Sequence, residues 1–120
     1  MKRLLILGSL MLLALALAAC TSPDPPGPYV PNTTDAQKAC VEVLRSKLTA
    51  QGTPEGDISV DWGKTDAYAA SDQPGQWNCH VTATAPNVFG AKRVSTYLVE
   101  IKDLDHSAGR LTWTNLGVYP

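Results

Sequence analysis

Hydrophobic and polar positions change rhythm three times along this 120-residue chain. Leu4 to Ala19 is apolar throughout except for Gly8 and Ser9, and Lys2 and Arg3 stand ahead of it. Thr21 to Thr33, TSPDPPGPYVPNT, has no apolar period at all. Beyond it Ala36, Ala39, Cys40, Val43, Leu44 and Leu48 recur at helical spacing, with Lys38, Glu42, Arg45 and Ser46 on the other side. From Ile58 onward the pattern becomes alternation, the period of half-buried strands.

The helical stretch carries its own start and stop. Thr34 followed by Gln37 fits a capping box, in which hydroxyl and amide each satisfy an orphan backbone donor. Asp35 in the first turn suits the helix dipole. Gly52 and Pro54 end the run, so the pattern predicts a helix over Asp35–Gln51 whose apolar stripe needs a sheet to cover it.

Four strands are predicted: Ile58–Trp62, Trp77–Ala85, Lys92–Lys102 and Leu111–Val118. Asp72-Gln73-Pro74-Gly75 suits a tight turn within a loop over Gly63–Gln76. Pro86, Asn87 and Gly90 mark the next reversal, and Asp103, Asp105, Ser107 and Gly109 the last. Short links make the last three strands an antiparallel meander. The expectation is therefore an α+β domain: one N-terminal helix packed on a four-stranded, mainly antiparallel sheet. In element order alone this resembles the cystatin-like class. One core is all that about 100 residues support.

The N-terminal run ends at Leu17-Ala18-Ala19-Cys20. A cationic head, an apolar middle and a small-residue exit read as a secretory signal. The run is short of the roughly 20 residues that a membrane span needs, and no basic cluster follows it. Leu-Ala-Ala-Cys resembles the lipobox of bacterial lipoproteins. That resemblance implies cleavage before Cys20, fatty acylation of Cys20 (palmitate among the chains), and residence on a membrane of the cell envelope. The chain then divides into a signal peptide, 1–19; a lipidated cysteine with a proline-rich tether, 20–33; and one domain, 34–120. Prolines at 23, 25, 26, 28 and 31 keep the tether semi-extended at about 3.1 Å per residue, roughly 40 Å in all. Without Lys2 and Arg3, eight basic residues face 11 acidic ones, a net charge of about −3. Such a domain has no electrostatic attraction to nucleic acid. Its membrane partner is reached through the lipid.

With Cys20 assigned to lipid, Cys40 and Cys79 remain, an even pair in an exported chain, and a disulfide is expected. The bridge sets parity. Cys40 lies on the helix stripe, so Cys79 faces it together with Trp77, Val81 and Ala83, while Asn78, His80, Thr82 and Thr84 point away. Leu111 and Trp113 face inward, and a bulge near Asn115 is needed to bring Val118 in as well. In the third strand Tyr97, Val99 and Ile101 are read as inward, against Val94 and Leu98.

Catalytic parts are few. No nucleophile elbow, phosphate-binding glycine loop or zinc-protease motif is present, and no cofactor is implied. Asp103-Leu104-Asp105-His106 runs out of oxygen ligands for calcium and reads as a polar turn. Two cysteines and two distant histidines do not make a zinc site. Trp62, Trp77 and Trp113 suit sugar stacking, but two of them have inward parity and read as core. The function expected is a non-enzymatic envelope lipoprotein that binds a protein or other envelope component. A small-ligand or polysaccharide binder is the alternative, and an enzyme the least favoured reading. Partner contacts are expected at Phe89, in a turn that would ordinarily be polar, and at Val94 and Leu98, amid threonines on the outer face. The plainer reading folds Phe89 back on the core.

Overall fold

The protein is described by a computed structural model over residues 28–120. The signal-like run, Cys20 and the first prolines of the tether lie outside the described residues.

Helix α1 spans Thr33–Ala50. It starts two residues before the expected Asp35 because the cap is Asn32, not Thr34. Asn32 Oδ1 accepts the Asp35 N–H at 2.9 Å, and its amide donates to the Asp35 carboxylate at 3.1 Å. Gln37, expected to close a capping box, reaches instead across to the sheet and donates to the Thr65 carbonyl at 3.1 Å. At the other end Gly52 takes φ 100°, its N–H bonds the Thr49 carbonyl, and Thr53 bonds the Leu48 carbonyl, which is a Schellman stop.

After a 3-10 turn at Glu55–Asp57 come β1 (Ser59–Ala69), β2 (Gln76–Pro86), β3 (Lys92–Ser107) and β4 (Arg110–Tyr119). All neighbours pair antiparallel in the order β1-β2-β3-β4. The fold is thus the expected α+β arrangement, one helix across one face of a four-stranded sheet.

Two strands run several residues past their expected ends, for one reason. β1 does not end at Trp62, and the loop over Gly63–Gln76 shrinks to 70–75. Asp61 pairs with Thr82 and Asp66 with His80, so a bulge lies between them. It scrambles the alternation, which resumes at Asp66-Ala67-Tyr68-Ala69. Thr65 closes the bulge: its hydroxyl donates to the Asp61 carbonyl at 2.8 Å, and its side chain is buried. Likewise β3 runs through Asp103–Ser107, which was expected as a turn. Asp103 sits at φ 55° in a second bulge, which rotates Leu104 into the core. The reversal follows at Ala108-Gly109.

The inward face is as parity predicts. Cys40 and Cys79 are bonded at 2.08 Å and fully buried, with Val81, Ala83, Val99, Ile101, Leu44 and Ala39 around them. Tyr97, Leu111, Trp77 and Trp113 pack on this core half-buried. The pairings Glu100–Gly117 and Ile101–Asn115 make Leu116 the extra residue of a bulge beside Asn115, after which Val118 turns inward.

The end of the proline-rich stretch is fastened to the domain. The Tyr29 hydroxyl donates to Asp35 at 2.8 Å, and its ring lies 5.8 Å from that of His106. Partial burial, then the Asp35 hydrogen bond and the charges of Asp35 and Asp105, push the Tyr29 phenol up to about 12. The Tyr29 hydrogen bond, aided by Asn32, Lys38 and His106, outweighs desolvation and holds Asp35 below the usual carboxylate range. The linkage has opposite signs at the two ends of the pH scale. The Asp35 contribution is present above its unfolded value and is lost as pH falls through the lowered folded one. The Tyr29 contribution is intact below pH 10 and is lost between about 10 and 12. Tyr29→Phe should cost about 0.5–1 kcal/mol at neutral pH, since both groups are partly solvated. Unfolding midpoints measured against pH should show the difference from the parent vanishing at both extremes. A constant offset would show that the bond contributes nothing.

Candidate functional site: the open sheet face and the β2–β3 tip

α1 covers one face of the sheet. The other face has no covering layer among the described residues, and the pairings place its side chains in rows. Asp66, His80, Leu98 and Tyr119 form one row across all four strands, and Tyr68, Asn78, Glu100 and Gly117 the next. His80 is half exposed, as expected for the outer face, but it is not simply solvated. Its Nδ1 lies 3.3 Å from Asp66 Oδ1, an ion pair when the imidazole is protonated, and its ring sits 5.7 Å from that of Tyr68. Tyr119 folds over Gly117, where an added Cβ would lie 2.6 Å from the tyrosine hydroxyl, so the ring rests against a surface that only glycine leaves open. Tyr68 is 44% and Tyr119 47% exposed. Two amphipathic rings thus flank Leu98 and His80 on a rigid sheet, with the Asn78 amide and Glu100 carboxylate between them.

One outward residue departs from expectation. Thr82 has the predicted parity but is 5% exposed. The β1 bulge covers it: its hydroxyl bonds Thr96 Oγ1 at 2.9 Å and contacts the Lys64 carbonyl, and its backbone N–H reaches Thr65 Oγ1.

The three expected contact residues do not make one patch. Leu98 sits half-buried in the central row. Val94, 64% exposed, lies two rows away opposite Thr84 on the same face. Phe89 is beyond the sheet at the hairpin tip. There it is 90% exposed and its neighbour Val88 93%, so Phe89 does not fold back on the core. The tip is built to stand out. Asn87 Oδ1 accepts N–H groups from both Phe89 and Ala91 at 3.0 Å, and the Asn87 N–H bonds the Ala91 carbonyl at 2.8 Å.

Sequence reasoning missed Tyr68 and Tyr119. The first fell in the expected long loop, the second just past the expected end of the last strand. Resumed alternation at Asp66–Ala69 was the available signal. The tryptophans are not gathered for stacking: Trp62 is 51% exposed, while Trp77 and Trp113 pack on the inner side. Among the described residues no group of three metal-ligating side chains occurs, and no helix is long and apolar enough to cross a membrane. Comparison with protein-family models, curated proteins and solved structures finds no match to this chain.

Proposed function

We propose that this chain is a non-enzymatic, lipid-anchored protein of a bacterial cell envelope that binds an envelope protein or other envelope component through the open face of its sheet. The lipobox-like Leu17-Ala18-Ala19-Cys20 supports the anchor, and a buried disulfide suits an oxidising compartment. The observation that carries the binding role is the pair of half-exposed rings on the two outer strands, in adjacent rows of the open face. Tyr68 and Tyr119 flank Leu98 on a rigid, uncovered sheet, and tyrosine supplies apolar area with a polar rim at low entropic cost. Membrane contact through Cys20 and an acidic mature chain leave nucleic acid out of the partner set.

A polysaccharide is the second reading. The Asn78 amide and the Glu100 carboxylate beside Tyr68 are the groups that grip hydroxyls next to a stacked ring.

A photoreactive side chain in place of Leu98, in the full chain in intact cells, tests both. One discrete adduct that disappears when Tyr68→Ser and Tyr119→Ser are added is the expected result. A protein adduct supports the first reading and a glycan adduct the second. No adduct from position 98, with efficient labelling elsewhere on the domain, overturns the assignment of this face.

A further inference from the structure

The inner face of the sheet is not filled at its β2–β3 end. Deep under α1 the inward pairs are Cys79 with Val99 and Val81 with Tyr97, but toward the tip they become Ala83 with Ser95 and Ala85 with Arg93. α1 stops beside these small residues at Ala50, and Gly52 turns the chain away. Small side chains beside a helix that ends leave a groove of two joined hollows. The inner one, about 180 Å³, is walled by Leu44, Leu48 and Val118. The outer one, about 370 Å³, is walled by Ala85, Pro86, Ser95 and Arg93. Leu48, Gln51 and Tyr97 border both.

The polar groups around this groove point to one class of ligand. The Tyr97 and Ser95 hydroxyls, the Gln51 amide and the Arg93 guanidinium make no side-chain hydrogen bond or ion pair among the described residues, and none is buried. No aspartate or glutamate lines either hollow, although the chain as a whole has a net charge of −1. Lys47 borders the inner hollow, but its Nζ donates to the Val118 carbonyl at 3.1 Å, which leaves Arg93 as the open cation. Arg93 does not cap α1. The Thr53 and Gly52 N–H groups already satisfy the Leu48 and Thr49 carbonyls, and no hydrogen bond joins Arg93 to the helix end.

We propose that this groove binds a linear aliphatic carboxylate, with its head on Arg93, Ser95 and Tyr97 and its tail in the hollow between Leu48 and Val118. An apolar recess with a few convergent polar groups is the ordinary form of a small-molecule site. A guanidinium fork matches a carboxylate with two parallel hydrogen bonds, and the two hydroxyls have donors to add. The inner hollow has room for about six groups the size of a water molecule, so the tail that fits belongs to a chain of about eight carbons. A cationic amphiphile of the same length would meet Arg93 and Lys47 instead, and an uncharged one would leave the guanidinium without a partner. The site lies on the opposite side of the sheet from the Tyr68 and Tyr119 face and does not depend on it.

The test is photolabelling of the full chain, in the membranes of cells that express it, with octanoate carrying a diazirine near the far end of its tail. Mass spectrometry of the digested protein should place the adducts on Leu44, Leu48 or Val118. Excess octanoate should protect these positions, and excess octylamine should not. Arg93→Glu should lower the yield there about tenfold or more, because it sets a carboxylate against the ligand's own. Arg93 is exposed, so circular dichroism should show that variant folded. Adducts scattered over the surface overturn the proposal. So does equal protection by octylamine, or a yield that Arg93→Glu leaves unchanged.

Discussion

Joint replacement of Cys40 and Cys79 by alanine should remove about 4 kcal/mol of stability, the largest change any small substitution makes here. The bridge closes a loop of 39 residues' separation. In the chain-entropy description such a loop restricts the unfolded chain by about 4 kcal/mol. Against a typical margin of about 5–15 kcal/mol, that leaves the domain marginal. Packing adds to the loss, because both sulfurs are fully buried between α1 and β2 and their removal opens space there. Denaturant unfolding of the parent with and without reductant, beside the double variant, measures the effect. The reduced parent should unfold at a midpoint near that of the variant. Quantitative alkylation of both thiols in the unreduced, denatured protein would show that no bridge forms.

The second large effect concerns attachment. Cys20→Ser should convert the protein from wholly membrane-bound to wholly released, and should abolish incorporation of labelled palmitate. On the proposed reading the lipid is the anchor, and among the described residues no helix is long and apolar enough to cross a membrane. If cleavage occurs before Cys20, as proposed, the mature chain carries a net charge of about −3, which an anionic surface repels. Val88 and Phe89 offer only two apolar side chains. Each buried methylene contributes about 0.8 kcal/mol, and two acyl chains make an anchor where one is marginal. Fractionation of cells expressing either form reads the outcome. Retention of the variant in the membrane fraction, together with no entry of labelled fatty acid into the parent, would remove the basis of the lipoprotein reading.

The parts of the fold legible in the sequence were those set by unbroken periodicity. The α1 stripe and the even cysteine pair placed Cys79, Val81 and Ala83 inward; alternation in β3 left two phases open, and the structure takes the one that buries Val99 and Ile101. The bulge beside Asn115 was also legible, because Leu116 and Val118 have the wrong parity without one. What was hidden lay behind the other two bulges. At 62–65 and at Asp103 an extra stretch of backbone shifts the phase, so strand looks like loop to any test of alternation. Tyr68 was lost for that reason. Thr82 was misjudged for the same one, since the backbone that covers it belongs to the bulge. Phe89 was visible as an apolar residue in a turn, but its exposure depends on Asn87 bracing the loop, a side-chain geometry that residue order alone does not specify.

The fastening of Tyr29 beside His106 has a mechanical consequence. A pull on the residues before Tyr29 enters the domain at the β3–β4 hairpin and the start of α1. The load passes along α1 only as far as Cys40, where the disulfide hands it to Cys79 in the middle of β2. The rest of α1 beyond Cys40 lies outside the line of force. A binding surface on the outer rows, centred on His80 next to Cys79, would therefore meet the tension at a covalent junction. A tug between anchor and partner would strain the tyrosine latch and the first turns of α1 and leave the core in register.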